Sequence, residues 1–170
     1  MESIAKNKNT LNKKPFRKLG FTYLETAEIV VSLNQLMANY FVHYNKLRNF
    51  HWNVDSQDFF ELHQEFENEY NTVMQGIDTI AERIRVFGLK PSMTINEILV
   101  ISEIKEAKAD KMSSIEMVKE ILKDYEILHN KMLNVMNAAL ETGDNVTEQI
   151  VTDFMRNLEN RNWMFTAWCK

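Results

Sequence analysis

The chain has 170 residues, 45% of them apolar, enough for one domain with a hydrophobic core of its own. Its apolar stretches are only a few residues long, against the ~20 needed to span a bilayer, and the start has no apolar signal segment, so a cytoplasmic protein with no membrane role is expected. Cys169 is the one cysteine, which excludes an intrachain disulfide and any CxxC motif, and the formal charge of -4 conceals a tail and a body of opposite sign.

The tail comes first. Residues 1–18 carry Lys6, Lys8, Lys13, Lys14, Arg17 and Lys18 against Glu2, a net +5, so the overall -4 leaves -9 on the remainder. Polar and rich in Asn and Lys, residues 1–22 offer little apolar surface to repay ordering and are expected to form a flexible basic tail ahead of a domain over 23–170. With four Gly and two Pro in the whole chain, long uninterrupted helices should follow.

From about Tyr23, the residues Val30, Leu33, Met37, Tyr40, Tyr44, Leu47 and His51 recur at steps of three and four, one face of a helix, so His51 ends an inward stripe. The run NVDSQD (53–58) breaks the pattern with turn and capping residues, and a second helix is predicted from near Asp58 to about Phe87. Its stripe is Phe59, Phe66, Tyr70, Val73, Ile77, Ile80, Ile84 and Phe87, and Gly88 with Pro91 supplies the stop. Residues 88–112 are too long for a structureless connection in a compact domain, so INEILVISEI (95–104) is assigned a short helix. Ser113 and Glu116 then form a capping box for a third long helix that carries Val118, Ile121, Leu122, Tyr125, Leu128, Met132 and Met136 and ends at Gly143. A fourth, from about Asn145, carries Ile150, Val151, Phe154, Leu158, Phe165 and Trp168. Four long helices with one long crossing connection between the second and third predict an all-α, ferritin-like four-helix bundle.

The second helix also carries the chemistry. His63 with Glu67 and Asp78 with Glu82 are mirrored about a point between Thr72 and Val73, so an antiparallel second copy would set each pair opposite the other. At about 100° per residue, with His63 as zero, the other three lie near 40°, 60° and 100°, while the core stripe centres near 300°. The four polar residues therefore form a separate strip flanking the core. Fifteen residues separate His63 from Asp78, about 22 Å along a helix, too far for one metal site. One copy cannot close the site, but a two-fold dimer can, twice over. The hairpin before the second helix can turn His51 toward the same end, so each site would comprise His51, His63 and Glu67 from one subunit with Asp78 and Glu82 from the other. Mixed imidazole and carboxylate ligands suit iron in both oxidation states, and also zinc or manganese. A site built from two chains with few ligands apiece is expected to keep open positions, which favours redox turnover over a structural role.

At these residues the chain resembles the Dps family, the mini-ferritins. NFHWNV (49–54), DFFELHQEFEN (58–68) and GIDTIAERIRVFG (76–88) look like that family's signature, and the terminal WMFTAW (163–168) is similar to its last helix. The resemblance implies a homododecameric hollow shell and a ferroxidase-type oxidoreductase. Fe(II) and hydrogen peroxide would be its substrates at two-fold interfaces, ferric mineral would be stored inside, and no haem is expected. The family's two histidines fall on His51 and His63 and its paired acids on Asp78 and Glu82. The acid four residues after the second histidine is Glu67 here, where the family usually has Asp. Trp52 matches the tryptophan beside the family's site, where it would shield the centre and intercept oxidising equivalents.

Plainer roles stand beside these. The polar strip could be a charged interface of hydrogen bonds and ion pairs with no metal. His43 and His129 lack acidic partners at the mirrored spacing and are assigned ordinary surface or core roles. Glu126 and His129 make a single ExxH sequence, whereas the larger di-iron bundles need two plus further glutamates. Asp144, Glu148 and Asp153 resemble in location the family's iron-admitting pore, or else complement a helix dipole. Ten Met and the aromatic stripes are read as packing, with Trp163 and Trp168 helping to pack the last helix. The basic tail either aids solubility or binds DNA phosphates without reading bases, and the second alternative would make this chiefly a DNA-compacting protein.

Overall fold

Every long apolar stripe becomes a helix. The computed structural model describes residue 21, residues 23–91 and residues 94–170. It contains α1 (Tyr23–Asn53), α2 (Phe59–Val86), α3 (Ile95–Ile101), α4 (Ser114–Thr142) and α5 (Asn145–Trp168), with a 3-10 turn at Ala109–Lys111 before α4. This is the expected all-α bundle with a short helix in the crossing connection. None of these helices is long and apolar enough to cross a membrane. The tail over residues 1–20, with its six basic side chains, lies outside the described residues, whereas Phe21 meets Phe87 edge-on at 5.5 Å.

The stops are those the turn chemistry requires. Gly143 ends α4 with φ 67, and Gly88 follows α2 with φ 80, left-handed values that a Cβ penalises. At the start of α4 the Glu116 carboxylate accepts from both the Ser113 amide (2.8 Å) and the Ser113 hydroxyl (2.7 Å). Thr94 and Glu97 form a complete capping box on α3, which the sequence reading did not single out.

α1 is buried on more sides than one amphipathic stripe predicts, because it packs against α2, α4 and α3 together. Its stripe residues Val30, Leu33, Met37, Tyr40 and Leu47 are buried, but so are Ile29, Leu36, Ala38, Val42 and Phe50. At about 1.5–3 kcal/mol for each large apolar side chain taken from water, this shared core is the main stabilising term. Along α2, Phe66, Val73, Ile80 and Ile84 are buried, as is Phe87 just past its end, and Phe59, Tyr70 and Ile77 pack at the margin.

Polar side chains pin the connection and the helix pairs. The Asn39 side-chain oxygen accepts from the amides of Glu103 (3.0 Å) and Ile104 (3.0 Å) and from the Ser102 hydroxyl (3.2 Å), tying the crossing segment to α1. His43, assigned no special role from sequence, is fully buried, and its Nδ1 shares Asp124 with Lys46 at 2.9 and 2.7 Å. Arg161 of α5 reaches back to α2, donating from Nε to Glu69 (2.7 Å) and from Nη1 to Glu65 (2.6 Å), while the Tyr125 hydroxyl donates to the other Glu69 oxygen (2.7 Å).

Asp144 caps the start of α5. It is buried, accepts from the Thr147 amide at 3.2 Å and from the Thr147 hydroxyl, and pairs with Arg83 at 2.5 Å. Burial alone would push its carboxyl up, but the hydrogen bonds from Arg83 and Thr147 outweigh that and hold it below the usual carboxylate range. A group depressed on folding stabilises above its unfolded value and loses that contribution as pH falls through the folded value. Asp144→Asn should therefore melt below the wild type at pH 7, with the gap narrowing below about pH 4. A gap that stays constant in melting scans down to pH 3 would exclude this linkage.

Candidate metal centre

Five residues, 54–58, separate α1 from α2, so the last turn of one helix lies beside the first turns of the other. The Val54 amide closes the end of α1 on Phe50 (2.8 Å), buried Val54 anchors the bend, and the Leu62 amide opens the α2 ladder on Asp58 (3.0 Å). His51 and His63 meet across this corner. Their rings stack with centroids 3.7 Å apart and planes 26° off parallel, and Phe59 stacks on His63 at 5.1 Å.

The hydrogen bonds are reciprocal. His51 Nδ1 donates to the backbone carbonyl of His63 and His63 Nδ1 donates to that of His51, each at 2.8 Å. A carbonyl oxygen only accepts, so each Nδ1 must carry a proton. In the neutral ring the lone pair is then on Nε2, and among the described residues neither Nε2 has a hydrogen-bond partner. This is the support that metal-binding imidazoles ordinarily receive from behind, fixing tautomer and ring orientation together.

Glu67 lies one turn further along α2, half-buried. Its Oε1 accepts from the Tyr70 hydroxyl at 3.3 Å, and the Tyr70 ring meets His51 edge-on at 5.4 Å. Partial burial, then the Glu67 carboxylate, pushes the Tyr70 hydroxyl above its ordinary value, so at neutral pH it is a donor. Tyr44 packs edge-on against Tyr70 at 6.0 Å, and the Arg48 guanidinium covers both Tyr44 (5.4 Å) and Trp52 (4.7 Å). Trp52 is 64% exposed in the single chain.

Asp78 and Glu82 are at the other end of α2, both exposed, with no hydrogen bond or ion pair to their carboxylates among the described residues. α2 runs unbroken between the two ends, so Asp78 stays about 22 Å from His63. The structure thus brings His51, His63 and Glu67 into one neighbourhood within a chain and leaves Asp78 and Glu82 apart from them. Among the described residues, no three His, Cys, Asp or Glu side chains converge as a metal-holding group.

The other residues singled out from sequence are placed as follows. Glu126 is exposed and His129 half-buried, both on the rim of a crevice between α4 and α5. Asp153 is exposed and pairs with Arg156 at 2.8 Å. Trp168 packs on the core, whereas Trp163 is 67% exposed. Tyr70 was read from sequence as a core position only; its place three residues after Glu67 on one helix was the signal that it could bond that carboxylate.

Residues 31–170 match the ferritin-like domain family. The chain is 37% identical over 141 residues to the DNA protection during starvation protein 2 of Bacillus anthracis, covering 83% of this chain and 96% of that one. It is 35% identical over 141 residues to the general stress protein 20U of Bacillus subtilis (strain 168), covering 83% and 97%. Among solved structures it is similar to the Dps protein of Vibrio cholerae O1, described as one of a broad superfamily of ferritin-like diiron-carboxylate proteins, with TM-score 0.88, 31% identity and coverage of 94% and 99%. Dps from Staphylococcus aureus gives TM-score 0.81, 37% identity and coverage of 85% and 96%.

Proposed function

The chain belongs to the Dps family of ferritin-like proteins, and on that premise we propose that it oxidises Fe(II) with hydrogen peroxide at centres shared by two copies and stores the ferric product in a shell of twelve. Removing Fe(II) and peroxide together would protect DNA from oxidative damage. The observation that carries this reading is the reciprocal His51–His63 pair, which fixes the two rings and leaves each Nε2 without a partner among the described residues. Glu67 from the same chain, with Asp78 and Glu82 from the partner, would complete a nitrogen and oxygen donor set for iron as substrate.

The electron count explains why two irons are needed at once. Hydrogen peroxide takes one electron from each of two Fe(II), its O–O bond breaks, and with two protons the oxygens leave as two waters. One Fe(II) acting alone would supply a single electron and release a hydroxyl radical. The protein's part is to hold the ions close and keep ligand positions open.

Surface chemistry supports assembly through these faces. Trp52, Phe60 and Met74 are exposed at 64%, 85% and 48% near the α2 strip, and α3 leaves Ile95 and Val100 exposed at 69% and 85%. Large apolar side chains left exposed on these helices favour cover by further copies of the chain.

Replacing both His51 and His63 by alanine should abolish the fast rise in ferric absorbance when Fe(II) and peroxide are mixed anaerobically; equal rates in variant and wild type would refute the centre. Complementation tests its sharing. Co-expressing a His51→Ala/His63→Ala subunit with an Asp78→Ala/Glu82→Ala subunit should restore about a quarter of the sites under random two-fold pairing, because half the interfaces are mixed and each holds one intact set. A site confined to one chain would recover nothing.

A second reading, DNA compaction, rests on the net +5 of residues 1–18. Twelve such tails could engage phosphates together through counterion release. Deleting residues 1–18 should abolish a DNA gel shift seen at low salt, and the intact protein's shift should weaken steeply as salt rises. Unchanged binding after deletion would remove the tail's role.

A further inference from the structure

We propose that Tyr70 is a positioning residue for the metal-ligating carboxylate of Glu67, setting which way that carboxylate faces the centre. The inference rests on the shared centre proposed above and adds a residue outside its ligand set.

Glutamate has one more rotatable bond than aspartate, so a free Glu67 would sample more positions and lose more side-chain entropy on binding an ion. Tyr70 limits that freedom. Its hydroxyl donates to Glu67 Oε1 at 3.3 Å, while no described residue engages Glu67 Oε2. The bond is long for O–H···O, as supporting contacts often are before a ligand arrives.

Tyr70 is itself held. Its ring lies edge-on to His51 at 5.4 Å and 81°, and Tyr44 lies edge-on to Tyr70 at 6.0 Å and 86°. Arg48 Nη1 donates to the Tyr44 hydroxyl at 3.4 Å, which steadies Tyr44 in turn. One side chain therefore touches an imidazole delivered by α1 and a carboxylate delivered by α2, and couples their placement. The reach matters: an aspartate at position 67 would withdraw its carboxylate by about one bond length and lose the Tyr70 contact.

Anaerobic titration of the assembled protein with Co(II), followed by calorimetry and by its visible absorption band, separates positioning from general stability. Tyr70→Phe, which keeps the ring and its packing, should weaken Co(II) binding about tenfold, the lower end of what losing a hydrogen-bonded support behind a metal ligand costs, and should alter the band. Glu67→Asp should also weaken binding, and adding Tyr70→Phe to Glu67→Asp should change neither affinity nor band any further. Wild-type affinity in Tyr70→Phe, or the same loss in both backgrounds, would overturn the inference. The His51→Ala/His63→Ala variant distinguishes the two levels. If it binds Co(II) as well as the wild type, the shared centre fails and the role of Tyr70 with it. If it loses binding while Tyr70→Phe does not, only the role of Tyr70 fails.

Discussion

Two hydrogen bonds, each running from an imidazole Nδ1 to the other histidine's backbone carbonyl, join the end of α1 to the start of α2. They form because the five residues between the helices are too few to hold the ends apart, and because buried Val54 fixes the bend. Their effect is both structural and chemical. Structurally they give the His51 carbonyl in the last turn of α1 a donor and tie the first turns of α2 to it; chemically they place a proton on each Nδ1 and leave each Nε2 lone pair facing away from the backbone. A histidine pair able to turn freely would have to lose that freedom on every binding event.

The second constraint is the rigidity of α2. An unbroken helix cannot bring Asp78 to His63 across about 22 Å, so the acids at one end and the histidines at the other can meet only between molecules. Mirror placement about the middle of the helix is what a two-fold axis requires, since each copy must offer at one end what the other lacks. Asp78 and Glu82 are exposed and have no partner among the described residues, which agrees with this division. Three acids inside the bundle are buried and paired: Asp124 is shared by Lys46 and His43, Asp144 is bound to Arg83, and Glu69 is bound to Tyr125 and Arg161. Acids inside the bundle hold helices together, whereas those on the outer strip of α2 remain available.

Much of this was legible in the chain. Spacing of three and four placed the four long helices, Gly88 and Gly143 marked two ends, and the length of the crossing connection called for the short helix at Ile95–Ile101. Period failed on α1, where Ile29, Leu36, Val42 and Phe50 are buried off the stripe because three neighbouring helices, not one, cover it. It failed again for Asp124 and Lys46, which look like ordinary surface charges until α1 and α4 are set side by side.

By itself the sequence determined the helix count, the order of the elements and the types and spacing of the candidate ligands, because these follow from local periodicity and turn chemistry. The tertiary structure alone decided that the two histidine rings stack and lock each other's tautomer, that Tyr70 turns its hydroxyl to Glu67, and that Asp144 is a buried cap. Those outcomes depend on distances between residues on different helices or on one chosen rotamer among several, and such choices are made by packing, which a linear pattern does not contain.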